Sequence, residues 1–214
     1  ANVERSTREA IAAAKSITDD YEIIIVNDGS QDKTGEIADR LAQEDNHVRV
    51  IHHPRNRGYG AALTSGYRGA TKDTIFYTDG DLQFDLKEIG KLWNLIDRYD
   101  VVTGYRIKRS DPLLRKINSF GWTTLTRLLF RLPVRDVNCA FKLFRREVIE
   151  NIEIESEGAL IDAEVFARAR KAGYTIAEVG VHHYPRRYGS QTGANPLVIL
   201  RAFKELFELW WKLR

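Results

Sequence analysis

The sequence has little of what defines several special classes of protein. It contains one cysteine, Cys139, and no methionine among 214 residues, so it can form no internal disulfide and suits a reducing compartment such as the cytoplasm. No uninterrupted apolar run is long enough to cross a bilayer, and no signal peptide is recognisable. With 43% hydrophobic and 29% charged residues, the composition excludes disordered, collagen-like and disulfide-rich proteins.

The net charge and the absence of linkers further limit the function and the number of domains. The net charge of +3 is mild, and the basic residues lie among apolar ones without a recognised reading motif, so nucleic-acid binding is disfavoured. No repeat, low-complexity stretch or linker divides the chain. We therefore expect one domain over residues 1–214, with residues 196–214 as a terminal amphipathic helix.

Short β-branched runs alternate with helical stripes along the chain. This pattern predicts an α/β fold with a mostly parallel central sheet and helices on both faces. Residues 21–27 (YEIIIVN) give the clearest strand, because they are apolar without alternation, as in strands covered on both faces. Further strands are predicted at 48–52, 74–78, 100–105 and 175–183, and further helices at 1–16, 60–70, 86–98, 113–131 and 159–172.

Acids and small residues follow the strand at 74–78. Asp79 and Asp81, separated by Gly80, come at the carboxyl end of that strand, where ligands bind in open α/β sheets. Two carboxylates in such a turn can face one hard cation such as Mg²⁺ or Mn²⁺, and Gln83 could add a neutral oxygen. A solvated Asp-Gly turn would explain the same residues.

Two other segments favour binding of a nucleotide. Asn27 and Asp28 end the strand at 21–27, where a carboxylate can accept from a base or a ribose, although a helix cap would also explain them. Arg57 and Gly58 precede the helix at 60–70, a suitable place for a diphosphate at a helix N-terminus. The segment lacks the lysine of a P-loop, so this signal is weak by itself.

Taken in order, five segments resemble the family-2 glycosyltransferases. They are IIIVNDGSQDKT, NRGYGAAL, YTDGDLQ, DVNCAFKLFRREV and YPRRYGSQTG, and they look most like the branch of dolichol-phosphate mannose synthases and bacterial polyprenyl-phosphate glycosyltransferases. The resemblance implies a GT-A fold and an inverting transfer from a GDP- or UDP-sugar with a divalent cation. It assigns Asp28 to the base or ribose, and Asp79, Asp81 and Gln83 to the metal and the donor diphosphate.

The acceptor decides whether a general base is needed. A phosphate acceptor is already anionic at pH 7, whereas a hydroxyl acceptor must lose a proton. Asp162 and Glu164 are the best candidates for that base, although acids are also favourable in the first turn of a helix.

A lipid phosphate is the acceptor that we expect. Arginines and lysines between residues 106 and 135 lie beside apolar residues, which suits a phosphate at a membrane surface. The resemblance places Arg106 and Arg186 where that branch contacts the acceptor phosphate. The terminal helix, with Trp210 and Trp211 beside basic residues, fits the same surface. We therefore expect a peripheral protein at the cytoplasmic face of a membrane.

Two alternatives stay open, and the sequence departs from the family at two points. Asn27 stands where many relatives have a second aspartate. The chain could be a soluble glycosyltransferase with a sugar or protein hydroxyl acceptor, or a non-catalytic module that binds a nucleotide-sugar. Relatives usually begin with a strand and a loop that grips the nucleoside, and this sequence starts in the following helix. We expect a strand of roughly five to eight residues before Ala1, pairing near residues 21–27, so that this strand has an open edge here.

Overall fold

The computed structural model describes residues 2–107, 113–185 and 196–214. Strands and helices alternate through most of them. The strands in these ranges are β1 (Ile23–Asp28), β2 (Val48–His53), β3 (Thr74–Thr78), β4 (Val101–Ile107), β5 (Phe141–Arg145) and β6 (Ile176–His182). The α-helices are α1 (Val3–Lys15), α2 (Thr34–Glu44), α3 (Tyr59–Gly69), α4 (Ile89–Ile96), α5 (Leu113–Phe130), α6 (Arg146–Asn151), α7 (Ile161–Lys171) and α8 (Pro196–Leu213).

The strands form two sheets in the described part of the chain. β1 and β2 pair in parallel, and the second sheet has the order β3-β5-β4-β6. Within this mixed sheet β5 runs antiparallel to both β3 and β4, whereas β4 and β6 are parallel. The α/β class with helices on both sides is confirmed.

The arrangement of strands differs from the single, mostly parallel sheet that the sequence predicts. The difference arises from β5, which the hydrophobic pattern does not reveal. Lys142 interrupts the apolar run Phe141–Arg145 at its second position, so that the segment lacks the pattern of a buried strand. The side chain of Lys142 is nevertheless only 1% exposed, because the strand lies in the middle of the sheet.

The core lies mainly around the mixed sheet. Val101 and Val102 of β4 and Phe141 and Phe144 of β5 are fully buried, as is Phe166 of α7. Each such side chain stabilises the fold by roughly 1.5–3 kcal/mol through removal from water. The residues that follow β3 and β4 are therefore presented by a rigid, well-packed support.

The edge of β1 that does not face β2 has no strand beside it in the described ranges. β3 likewise pairs only with β5 there, so no backbone ladder connects the two sheets. Helix α3 packs against both sheets instead: its Gly69 lies against Ile51, and its Tyr67 makes an edge-to-face contact with Tyr77 at 6.1 Å. The expected open edge is confirmed, and a strand preceding Ala1 stays a prediction.

Helix α8 packs against α5 and α7. Leu206 and Leu209 are buried, and Phe203 contacts Trp122 of α5 edge to face at 5.4 Å. Phe207 and Trp211 remain exposed on its outer side. None of the described helices is both long and apolar enough to span a membrane.

The open edge of β1 makes a prediction for hydrogen exchange. Ile23 donates its N–H to His47 of the β2 side, so the N–H groups of Ile24 and Val26 point the other way. We expect these two amides to exchange at least about tenfold faster than that of Ile25, which faces β2, because they lack a ladder hydrogen bond. Residue-resolved exchange by NMR measures this, and equal protection along β1 would show that the edge is paired.

Candidate active site

The turn after β3 brings two carboxylates together. Tyr77 donates its hydroxyl hydrogen to Asp79 over 2.6 Å, and Asp81 accepts from the backbone N–H of Gln83 over 3.1 Å. Burial raises the pKa of Asp79 to about 6, and the neighbouring Asp81 carboxylate raises it too, against the lowering effect of the Tyr77 hydroxyl. The two acids are therefore close enough to repel each other at neutral pH.

These residues fit a divalent cation. Two neighbouring carboxylates, one of them with a raised pKa, form a hard oxygen site that a cation would stabilise. No three His, Cys, Asp or Glu side chains converge as a metal cluster in the described ranges, so further ligands would come from a substrate. Gln83 is buried, and its amide donates to the carbonyl of Tyr184 over 2.9 Å, which fixes the end of the turn.

Asp28, at the end of β1, holds the loop that precedes α3. Its carboxylate accepts from the backbone N–H groups of Arg57 and Gly58, both at 2.9 Å, and contacts His53 Nδ1 at 2.6 Å. Burial pushes the pKa of Asp28 upward, but these hydrogen bonds together hold it below its ordinary value. The structure therefore gives Asp28 a loop-organising role in addition to the donor contact that the resemblance assigns.

Asn27, the other polar residue at the end of β1, is also engaged within the protein. Its side-chain oxygen accepts from the N–H of Ser30, and its amide nitrogen contacts His52 Nδ1, each over 3.1 Å. Asn27 is buried. It therefore shapes the turn after β1 rather than presenting its amide outward.

The N-terminus of α3 differs from the phosphate site that the sequence suggests. The N–H groups of Gly60 and Ala61 donate to the carbonyl of Glu157 at 2.9 and 3.3 Å. Gly58 has a φ of 102°, and a Cβ on it would lie 2.8 Å from the same carbonyl. The main-chain N–H groups at the start of α3 therefore bind the Glu157 carbonyl and not a phosphate. The group that can reach a phosphate is the guanidinium of Arg57, which is half-exposed and lies 4.0 Å from the Glu157 carboxylate.

The two acids of α7 are buried and ion-paired. Asp162 contacts the ammonium group of Lys142 at 2.7 Å and the Tyr59 hydroxyl at 3.3 Å. Glu164 is 1% exposed and accepts from the N–H groups of Glu155 and Ser156 and from Arg168. The structure therefore contradicts an exposed general base at Glu164, because both of its oxygens hold the segment before α7.

Arg106 is held in a buried ion pair. Its guanidinium contacts both oxygens of Asp136, at 2.6 and 2.7 Å, and both side chains are 8% exposed. This geometry opposes the direct phosphate contact expected of Arg106, since a bidentate carboxylate already occupies the planar donor face. Arg186, the other arginine assigned to the phosphate, lies outside the described residues.

Three residues of the site were missed by sequence reasoning. Lys142, Tyr59 and Tyr77 connect Asp162 to Asp79 through side-chain contacts. Tyr59 and Tyr77 lie within or beside two of the quoted motifs, NRGYGAAL and YTDGDLQ, and that position was the available signal. Lys142 lies in a third quoted motif, DVNCAFKLFRREV. Its charge among apolar neighbours indicates a buried ammonium group, which requires an acidic partner.

Comparisons with known proteins agree with the resemblance. A model of the family described as "Glycosyl transferase family 2" matches residues 1–153. Glycosyltransferase AglD of Haloferax volcanii is 33% identical over 99% of this chain and 35% of its own length. The undecaprenyl-phosphate 4-deoxy-4-formamido-L-arabinose transferase of Photorhabdus laumondii is 33% identical over 84% of this chain and 55% of its own. The chain thus spans about a third to just over half of these relatives.

Solved structures show the same fold. Glucosyl-3-phosphoglycerate synthase from Mycobacterium tuberculosis, in complex with uridine diphosphate, aligns with a TM-score of 0.70 and 16% identity over 98% of this chain and 76% of its own. Its complex with Mn²⁺, UDP-glucose and glycerol 3-phosphate aligns with a TM-score of 0.67 and 17% identity, covering 99% and 76%. The expected GT-A fold is thereby confirmed.

The Arg106–Asp136 pair predicts a stability effect. Arg106→Ala leaves the buried Asp136 carboxylate without this cation, so we expect the free energy of unfolding to fall by about 3–5 kcal/mol. Arg5→Ala is the matched control, because the side chains of Arg5 and its ion-pair partner Glu9 are 55% and 39% exposed, and it should cost at most about 1 kcal/mol. Urea unfolding of both variants measures the difference, and similar small losses would show that Arg106 is available to a ligand.

Proposed function

The chain belongs to glycosyltransferase family 2, and we propose that it transfers a sugar, with inversion, from a nucleotide-sugar to a polyprenyl phosphate in the presence of Mg²⁺ or Mn²⁺. The glycosyltransferase activity class follows from the family and from relatives that carry that name. The acceptor, the cation and the stereochemistry are the proposed parts. The support for them comes from two pairs of acids: Asp162 and Glu164, which are ion-paired, and Asp79 and Asp81, which are neighbours in the turn after β3.

The ion pairing of Asp162 is the observation that carries the choice of acceptor. A hydroxyl acceptor needs a base, and Asp162 and Glu164 are the candidates. The Asp162 carboxylate is 6% exposed and bound to Lys142 at 2.7 Å, while Glu164 is bound to Arg168 and to two backbone N–H groups. An acceptor that is already an anion needs neither of them, and a phosphate monoester meets that condition.

The donor side is supported by the acids after β3. Asp79 and Asp81 would hold the cation together with the donor diphosphate, and Asp28 keeps the loop of Arg57 in place. A bound divalent cation would stabilise the charge that develops on the departing nucleoside diphosphate. The complexes of the structural neighbour with Mn²⁺ and UDP-glucose are consistent with such a donor.

Names of relatives and the outer surface favour a lipid-linked acceptor. The relative from Photorhabdus is named for undecaprenyl phosphate. Helices α5 and α8 expose large apolar side chains, namely Phe120, Leu128, Phe207 and Trp211, which are 73%, 72%, 51% and 72% exposed. Apolar side chains beside the exposed Arg127 and Arg131 suit the boundary between headgroups and acyl chains. We therefore propose that the protein lies at a membrane surface, and the single cysteine, which suits a reducing compartment, favours the cytoplasmic face.

Asp81→Asn tests the cation. We expect this change to abolish detectable Mn²⁺-dependent binding of GDP or UDP, because one of two charged ligands is lost, and to leave the unfolding temperature nearly unchanged. Asp73→Asn is the control at the other end of β3, where the side chain is 99% exposed. Isothermal titration with and without Mn²⁺ measures the binding. Normal binding by Asp81→Asn would return the two acids to a purely structural role.

The acceptor is tested by comparing a short polyprenyl phosphate with the corresponding polyprenol. Since Asp162 and Glu164, the two candidate bases, are both held in ion pairs, we expect transfer to the phosphate to exceed transfer to the alcohol by at least about 100-fold, the smaller end of what a positioned base supplies. Radiolabelled GDP-mannose, UDP-glucose and UDP-N-acetylglucosamine are the donors. Comparable transfer to the polyprenol or to a free sugar would contradict the proposal and support the hydroxyl-acceptor alternative.

A further inference from the structure

Lys142 is a charged side chain in the interior of the mixed sheet. Its ammonium group donates to the carbonyl of Cys139 over 2.6 Å and to Asp162 over 2.7 Å. It also faces the rings of Tyr77 and Phe166, at 5.6 and 5.4 Å from their centroids. A buried charge is costly even when it is paired, and an apolar pair of similar volume would often be as stable. Stability alone therefore does not explain the Lys142–Asp162 ion pair.

The contacts of Lys142 continue to the turn after β3. Asp162 meets the hydroxyl of Tyr59 at 3.3 Å, the Tyr59 and Tyr77 hydroxyls are in close hydrogen-bond contact, and Tyr77 donates to Asp79 over 2.6 Å. We call the four residues Asp162, Tyr59, Tyr77 and Asp79 the hydroxyl chain. It links the start of α7 to one of the two acids proposed to hold the cation.

The hydrogens of the two hydroxyl groups can be assigned along this chain. A tyrosine hydroxyl keeps its hydrogen at neutral pH, because a phenol ordinarily ionises only at about pH 10, so each of the two oxygens has one hydrogen to donate. Since the hydrogen of Tyr77 is donated to Asp79, the hydrogen of Tyr59 is divided between the Tyr77 oxygen and Asp162. An Asp162 carboxylate without a cation beside it would be a stronger acceptor and would attract the Tyr59 hydrogen more strongly.

Lys142 bears on this competition through its contact with Asp162 at 2.7 Å. A carboxylate that already accepts from an ammonium group is a weaker acceptor for a second donor, which favours donation of the Tyr59 hydrogen to the oxygen of Tyr77. A phenol that accepts a hydrogen bond is a stronger donor through its own O–H. Tyr77 then holds the Asp79 carboxylate firmly in one orientation.

We propose that Lys142 is a positioning residue that fixes the Asp79 carboxylate for cation and diphosphate through the hydroxyl chain. The inference rests on the proposed function, because it takes Asp79 as a ligand of the cation. Lys142 itself touches neither the cation nor the substrate in this role. Its effect should therefore depend on the two tyrosine hydroxyls, whereas a purely structural role would not.

A double-mutant cycle on Mn²⁺-dependent GDP or UDP binding distinguishes the two roles. Lys142→Met and Tyr77→Phe should each raise the Kd by about tenfold, as is typical for residues that orient a metal ligand. In the double variant the Kd should rise no further than in either single variant, because both changes interrupt the same chain. Effects that multiply to about 100-fold, or an unchanged Kd in Lys142→Met, would overturn the proposal.

Tyr59→Phe keeps the proposal testable if Lys142→Met does not fold. It removes one hydroxyl while the Lys142–Asp162 pair stays intact, and it should raise the Kd by about tenfold without adding to Tyr77→Phe. Multiplying effects here would likewise overturn it. The matched control is Tyr67→Phe, since Tyr67 packs on Tyr77 at 6.1 Å but is not part of the hydroxyl chain; its Kd should be unchanged.

The unmutated protein separates this proposal from the proposed function. If it binds neither nucleotide with Mn²⁺, the cation assignment fails and the positioning role fails with it. If it binds and the variants behave independently, only the positioning role fails. Urea unfolding of each variant without metal shows whether a change in Kd accompanies a loss of stability.

Discussion

A lysine ammonium group inside an apolar interior is the constraint on which this arrangement depends. Lys142 lies on β5, between β3 and β4, and its charge is matched by Asp162 at 2.7 Å. Because an unmatched charge there would be strongly destabilising, β5 and α7 have to come together in one relative position. Apolar packing of Phe166 and Ile161 supports that position, and the ion pair adds a requirement for matched charge that apolar packing does not impose.

The loops around the site are also fixed by polar contacts, in which carboxylate and carbonyl oxygens accept hydrogen bonds from main-chain N–H groups. The Asp28 carboxylate holds the loop at Arg57, and the carbonyl of Glu157 holds the first turn of α3. Glu164 holds the segment that contains Glu157 through the neighbouring N–H groups of residues 155 and 156. The site is therefore largely organised before any ligand arrives, which reduces the ordering cost of binding.

The sequence was informative where a signal is local. Short apolar and β-branched runs predicted β1 and β3, and the acids that follow them lie at the strand ends as expected. Partners that are distant in sequence could not be predicted: Asp136 is 30 residues from Arg106, and Asp162 is 20 residues from Lys142. Arg106 and Glu164 therefore resembled ligand-facing charges although they serve the interior. Lys142 also concealed β5, and with it the antiparallel part of the sheet.

The absence of a ladder between β1 and β3 has a mechanical consequence. Asp28 belongs to one sheet and Asp79 to the other, and in the described ranges the two sheets are joined by helix packing and side-chain contacts. Packed helices slide over one another by small shear movements, whereas a ladder of main-chain hydrogen bonds resists them. Within those ranges, Asp28 and Asp79 can therefore move relative to each other by shear of the packed helix without breaking a strand pairing.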